Sequence, residues 1–134
     1  MAKSDAFRSQ HKELLDLVGK IQPLVPQAAT KATDIRNLLT QLGGKVQMHL
    51  QMEDNVLYKA MLANAATKPV AERFQKEMGG IKDAFMGFMG KYATPAAIQG
   101  NPAGFAADIG GIVKALGGRI QREESELYPA FDKT

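Results

Sequence analysis

The sequence predicts an all-α protein, folded as an up-down-up-down antiparallel four-helix bundle that forms one domain over residues 1–134. Three observations support this prediction. Breaker-rich stretches divide the chain into four long segments. In each segment, core-type positions recur with alternating gaps of three and four, and we call this row of positions the seam. The connections are short, which makes neighbouring helices antiparallel.

The first two segments carry both histidines of the chain at seam positions. Ser4 is a candidate N-cap, and the stretch QPLVPQAATKAT separates the two segments. The first seam comprises Phe7, His11, Leu14, Val18, Ile21 and Val25. The second seam comprises Ile35, Leu39, Leu42, Val46, His49, Glu53, Val56 and Ala60. A strand does not produce this spacing, because its side chains repeat every two residues.

The last two segments begin at prolines, which the first turn of a helix tolerates. Pro69 opens the third segment after LANAATKP, and Asn101 with Pro102 supplies an N-cap and first residue after TPAAIQGNP. The third seam comprises Ala71, Phe74, Met78, Ile81, Phe85, Phe88 and Tyr92. The fourth seam comprises Phe105, Ile109, Ile112, Leu116, Arg119 and Glu123.

The composition excludes several classes of function. With no cysteine, the chain forms no disulfide and no zinc-thiolate site. Its 17 basic and 14 acidic residues are interspersed, so a nucleic-acid partner is not expected. Residues 1–13 are polar and no apolar run is long enough for a membrane span, so we expect a cytoplasmic protein without a membrane partner. No nucleophile–base pair or phosphate-binding glycine motif is present.

Only five seam positions are strongly polar: His11, His49, Glu53, Arg119 and Glu123. Residues of antiparallel helices that are equally distant from a connection lie at similar heights, and this rule places all five in one layer. Buried carboxylates need positive charge nearby. A metal ion held by inward-facing His and Glu from different helices would supply it. The alternative is that both glutamates are partly exposed near helix ends.

Three stretches carry a resemblance to a known family: HKELL from residue 11, HLQMEDNVLY from residue 49 and RIQREESELYP from residue 119. They resemble the hemerythrin family, specifically the bacterial HHE cation-binding domain, over nearly the whole chain. The resemblance implies a four-helix bundle that holds two irons through histidines and two bridging carboxylates. Its motif of His, three residues, two acids, two spacers and Leu-Tyr-Pro is fairly specific.

The resemblance also implies that only one of the two iron sites is retained. The ligands of the retained site would be His11, His49, Glu53 and Glu123, and those of the other iron are replaced by Phe74, Met78 and Arg119. Phe and Arg offer no lone pair to a metal, and a thioether is a poor ligand for iron(III) or zinc. We therefore expect one iron or zinc ion per chain. The guanidinium of Arg119 would replace the missing ion, or else extend to solvent at the edge of the bundle.

Three functions remain open. The first is a hemerythrin-like protein that binds mononuclear iron or zinc and does not carry dioxygen, because the family reduces dioxygen on a diiron pair. The second is a metal-free regulatory or partner-binding bundle in which Arg119 pairs with Glu53 and Glu123. The third, less favoured, is an enzyme, an oxidoreductase with an open position on one iron. The sequence identifies no protein partner.

Two acidic residues, two spacers and Leu-Tyr occur in the same order in residues 53–58 and 123–128, and we call this the repeated motif. Its remaining residues are expected to serve packing or solvation. Asp54 and Glu124 lie one residue off the seam and are predicted to be solvated, as is Glu126. Tyr58 and Tyr128 are predicted to pack through their rings and to extend their hydroxyls to the surface.

Overall fold

The structure, a computed structural model, describes residues 2–134, and this range is all-helical, without a β-strand. The four long helices of this range are consistent with a helical bundle, and we number them in chain order. Helix α1 is Asp5–Ile21, and the 3₁₀-helical turn Gln22–Gln27 follows it. Helix α2 runs as Ala28–Met52, continues through the π-helical turn Glu53–Tyr58 and ends with Lys59–Leu62.

The second pair of long helices has a similar organisation. Helix α3 is Lys68–Lys91. Helix α4 runs as Pro102–Arg122, continues through the π-helical turn Glu123–Leu127 and ends with Tyr128–Asp132. The two π-helical turns therefore begin at the two seam glutamates. Within the described residues, no helix is both long and apolar enough to span a membrane.

Parts of the predicted connections are helical, although they are rich in residues that disfavour helices. The stretch predicted as the third connection contains the short helix Pro95–Gln99, in which Thr94 caps the backbone N–H of Ala97 and Ile98 is fully buried. In the first connection, α2 already begins at Ala28 and is kinked at Lys31. Burial of small and apolar side chains outweighs local propensity in both stretches.

The predicted N-caps have different outcomes. The side-chain oxygen of Asn101 accepts from the backbone N–H of Gly104 at 3.0 Å, which confirms its predicted role. Ser4 precedes α1 but its hydroxyl caps no helical N–H. Instead, the backbone N–H and the hydroxyl of Ser4 both donate to the carboxylate of Asp132, at 2.8 and 2.9 Å. This contact joins the start of α1 to the end of α4.

A polar layer divides the apolar core into two clusters. The larger cluster includes Leu14, Val46 and Leu116, whereas the smaller includes Phe7 and Leu57. Between these apolar positions, α1, α2 and α4 carry His11, His49, Glu53, Arg119 and Glu123, all buried. Helix packing on both sides of the layer therefore fixes the height of these polar groups and keeps solvent away from them.

The π-helical turn of α2 shifts the seam by one residue. Val56 was predicted in the seam but is 50% exposed, whereas Leu57 and Tyr58 are 0% and 3% exposed. The extra residue in a π-helical turn rotates the following side chains relative to a regular α-helix. The prediction for Val56 was wrong because it assumed the α-helical period throughout. The other seam positions are buried or half-buried.

This register is testable by truncation of neighbouring side chains. Leu57→Ala is expected to lower the free energy of unfolding by about 2–5 kcal/mol, because it leaves a cavity in a packed core. Val56→Ala, its matched control, is expected to change that free energy by less than about 0.5 kcal/mol. Urea denaturation of both variants measures the difference. A larger loss for Val56→Ala would show a regular α-helical register.

Candidate metal centre

The structure brings together the four residues predicted as ligands of one ion. His11 comes from α1, His49 and Glu53 come from α2, and Glu123 comes from α4. One ligand atom of each lies within 4.8 Å of those of the other three, and all four side chains are buried. The cluster contains two imidazole nitrogens and two carboxylates, a donor set that iron and zinc both accept.

Four of the six distances between these donor atoms, at 2.9–3.5 Å, are close to those within one coordination shell, and all six are within 4.8 Å. His11 Nε2 lies 2.9 Å from Glu123 Oε1 and 3.2 Å from His49 Nε2. His49 Nε2 lies 3.3 Å from Glu53 Oε2 and 3.5 Å from Glu123 Oε1. Four atoms placed about 2.0–2.2 Å from one ion in a tetrahedron lie roughly 3.3–3.6 Å apart. The residues present therefore fit a single metal ion.

The outer nitrogens of both histidines are held by oxygen acceptors. His11 Nδ1 lies 2.8 Å from Glu124 Oε2, and His49 Nδ1 lies 2.6 Å from Gln10 Oε1. When Nδ1 donates to these oxygens, the lone pair of each Nε2 is directed toward the cluster, as in histidines that bind metal. Glu124 was predicted to be solvated; its side chain is 37% exposed, but it also contacts His11, which the sequence did not predict. Sequence reasoning missed Gln10, whose only signal is its position beside His11.

Arg119 joins the two carboxylates on the side opposite the histidines. Its Nε donates to Glu123 Oε2 at 2.9 Å and its Nη2 donates to Glu53 Oε1 at 3.1 Å. The guanidinium is buried, so the predicted pairing with both carboxylates is confirmed and extension into solvent is excluded. Each carboxylate thus directs one oxygen to the histidines and the other to Arg119, as a carboxylate bridging two cations would.

Phe74 and Met78, the other two positions at which the resemblance implies lost ligands, offer no good ligand in the structure. Phe74 is fully buried in the smaller apolar cluster. Met78 is half-buried, and its backbone carbonyl accepts from Arg119 Nη1 at 3.2 Å. This side of the layer therefore holds a buried positive side chain that is itself hydrogen-bonded to the backbone.

Tyr128 is a central residue of the cluster that sequence reasoning assigned to packing. Its hydroxyl lies 2.9 Å from Glu53 Oε2 and 3.0 Å from His11 Nε2, and its side chain is fully buried. The prediction that this hydroxyl reaches the surface was wrong, because the π-helical turn Glu123–Leu127 rotates Tyr128 into the layer. The spacing of five residues from Glu123 was no clear signal, because Tyr58 follows Glu53 at the same spacing and its hydroxyl has no partner among the described residues. The ring of Tyr58 is packed as predicted, but its hydroxyl is buried and does not reach the surface.

A small cavity borders the cluster. It has a volume of about 20 Å³ and touches His49, Arg119 and Glu123. Most of its remaining wall is apolar, from residues that include Leu14, Val46, Phe85 and Leu116. A volume of this size holds about one water molecule. The candidate centre thus has room for one small ligand next to its donor atoms.

The charges of the layer shift the pKa values of its members in opposite directions. Burial alone lowers the pKa of His49, but hydrogen bonds and charges of Glu123 and Glu53 outweigh it and raise that pKa to about 9. Burial raises the pKa of Glu53, and the charge of Glu123 adds to this effect. Burial also opposes ionisation of Glu123, but the hydrogen bonds from His11 and His49 and the charge of Arg119 hold its pKa well below the usual range.

In the metal-free protein, His49 is therefore protonated near neutral pH, and this proton stabilises the layer. Folding raises the pKa of His49 from 6.5 to about 9, so its contribution is complete below the lower value and is lost as the pH rises through the higher value. In the presence of a chelator, we expect the free energy of unfolding to fall as the pH rises from 6.5 to about 9. His49 contributes at most about 1.4 kcal/mol per pH unit to this fall. Urea denaturation at several pH values measures the slope. His49→Gln is expected to remove it, and equal slopes in both proteins would contradict the assignment.

Comparison with known proteins agrees with this geometry. The family model of the hemerythrin HHE cation binding domain matches residues 2–131. Comparisons with curated proteins and with solved structures find no significant match. The matched range includes every residue of the polar layer and both repeated motifs. The chain belongs to the hemerythrin HHE cation-binding family.

Proposed function

We propose that this protein binds one metal ion, iron or zinc, through His11, His49, Glu53 and Glu123, in an up-down-up-down four-helix bundle formed by a single domain. The observation that carries this proposal is the orientation of the two imidazoles. Both Nε2 atoms face the carboxylates, while both Nδ1 atoms contact an oxygen of Gln10 or Glu124. A structural role alone does not require two such histidines in one buried layer.

The protein is proposed to bind a single ion and not to carry dioxygen. Dioxygen binding in this family uses two irons, which together supply two electrons. Here the guanidinium of Arg119 contacts the second oxygen of Glu53 and of Glu123. In a diiron site, these two oxygens would bind the second iron. Neither Phe74 nor Arg119 donates a lone pair to a metal. When bound, the one remaining ion would supply a Lewis acid or a one-electron redox centre.

Metal analysis of protein purified without a chelating tag tests the proposal. The protein is expected to contain close to one iron or zinc ion per chain, measured by elemental mass spectrometry after anaerobic loading with iron(II) or zinc(II). His49→Ala and Glu53→Gln are expected to lose this ion, because each removes a ligand. Asp54→Asn is the matched control, since Asp54 is adjacent to Glu53 but exposed, and it should retain the ion. If the wild-type protein contains no metal after loading with iron(II) and none after loading with zinc(II), the proposal is refuted.

A second candidate function is a metal-free regulatory or partner-binding bundle. It is favoured by the charge balance of the layer, because Arg119 and a protonated His49 together offset Glu53 and Glu123. In this case Arg119 would be the residue on which the stability of the layer depends. A chain that never binds metal would rely on the buried guanidinium alone for permanent positive charge at this level.

The contribution of Arg119 to stability can be measured directly. In the chelated protein, Arg119→Leu is expected to lower the free energy of unfolding by about 3–5 kcal/mol, because it leaves buried carboxylates without their cation. Arg122→Leu, in the same helix, removes exposed ion pairs with Glu77 and Glu126 and should cost less than about 1 kcal/mol. If the proposed ion binds, saturating metal should restore much of the stability of Arg119→Leu. Equal losses in the two variants would contradict the assigned role of Arg119.

A further inference from the structure

The Tyr128 hydroxyl lies among the four proposed ligand atoms. It is 2.9 Å from Glu53 Oε2 and 3.3 Å from Glu123 Oε1. It is also 3.0 Å from His11 Nε2 and 3.5 Å from His49 Nε2. Among the described residues outside the four, none of the others has hydrogen-bond contacts to all of them. The hydroxyl therefore occupies the position of one more donor atom.

These four distances have the values expected within a single coordination shell. When five donor atoms lie about 2.1 Å from one ion, those separated by angles near 90° and 120° are roughly 3.0–3.6 Å apart, and one opposite pair is roughly 4.2 Å apart. A tyrosine that only donates a hydrogen bond to Glu53 would need one short contact to an oxygen. The Tyr128 oxygen instead has two nitrogens and two oxygens as close neighbours.

Packing holds the Tyr128 ring in this position. The ring stacks on the imidazole of His11, with centroids 5.2 Å apart and an angle of 23° between the planes. Phe7 contacts its side, at 5.8 Å between centroids, and the guanidinium of Arg8 lies over the ring, 5.4 Å from its centroid. Pro129 follows in the short helical end of α4. The phenol oxygen is thus oriented by the fold and requires no rearrangement to meet an ion.

We propose that Tyr128 is a fifth ligand of the metal centre, bound through its phenolate oxygen, and that the ion is therefore iron(III) in preference to zinc(II). This inference rests on the proposed metal-binding function. A phenolate is a hard anionic donor and suits iron(III), for which tyrosine is a known protein ligand. Zinc sites are mostly four-coordinate and use nitrogen, sulfur and carboxylate donors.

The chemical step is a simple ligand exchange. The O–H bond of Tyr128 would break, its oxygen would replace a citrate or water oxygen on iron(III), and the proton would pass to the released ligand or to solvent. No electron is transferred when the metal is supplied as iron(III). In the metal-free protein the hydroxyl keeps its proton, because burial and the charges of Glu53 and Glu123 raise the pKa of Tyr128. A bound cation reverses the sign of the local charge that the phenol meets.

Visible absorption and metal analysis together test this assignment. Wild-type protein is first stripped of metal with a chelator, then loaded with iron(III) citrate, and excess metal is removed. We expect one iron per chain and a visible phenolate-to-iron(III) charge-transfer band, with tyrosine ring modes enhanced in the resonance Raman spectrum excited in that band. Tyr128→Phe is expected to lose the band and to bind iron(III) more weakly. Tyr58→Phe is the matched control, because Tyr58 is equally buried but has no hydrogen bond to the described ligand residues, and it should retain the band.

The possible results separate the two proposals. One iron per chain without a charge-transfer band would overturn the role of Tyr128 and leave the metal-binding function intact. If the wild-type protein binds no iron, both the role of Tyr128 and the proposed binding of iron are overturned. A band that persists in Tyr128→Phe, or that disappears in Tyr58→Phe, would also overturn the assignment of Tyr128. If Tyr128→Phe fails to fold, the tyrosine modes in the wild-type Raman spectrum decide the question.

Discussion

Two carboxylates buried between the helices are the constraint on which the rest of this structure depends. Glu53 and Glu123 have almost no contact with solvent, so each of their oxygens must meet a positive or hydrogen-bonding group. The chain meets this requirement by dividing the oxygens between two sides of one layer. His11, His49 and Tyr128 are on one side, and Arg119 is on the other.

The periodicity of the sequence predicted the parts of the fold that depend on regular helices. The polar seam positions were predicted to share one layer, and the contact between His11 and His49 agrees with this. The pairing of Arg119 with both carboxylates followed from charge alone, because a buried cation and buried anions at one height attract each other strongly. These features required only a constant helical period and the cost of burying charge.

The features that the sequence did not predict arise where the helical period changes. Both π-helical turns begin at a glutamate of the layer, and each adds a residue that a constant period cannot anticipate. Val56 consequently turns outward and Tyr128 turns inward. Contacts to the outer histidine nitrogens also depend on rotamers across helices, which explains why Gln10 and Glu124 were not identified. Turns of this kind are concentrated at functional sites, and here they form part of the candidate metal centre.

The two repeated motifs place a tyrosine after each glutamate, but the two hydroxyls differ in their surroundings. The Tyr128 oxygen has four polar neighbours, whereas the Tyr58 oxygen is buried and has no hydrogen-bond partner among the described residues. A buried hydroxyl without a partner destabilises a protein by about 1–3 kcal/mol. Selection on folding alone would therefore favour phenylalanine at position 58. The two tyrosines therefore have separate structural roles: Tyr58 contributes only a packed ring, whereas the Tyr128 hydroxyl also satisfies polar groups of the buried layer.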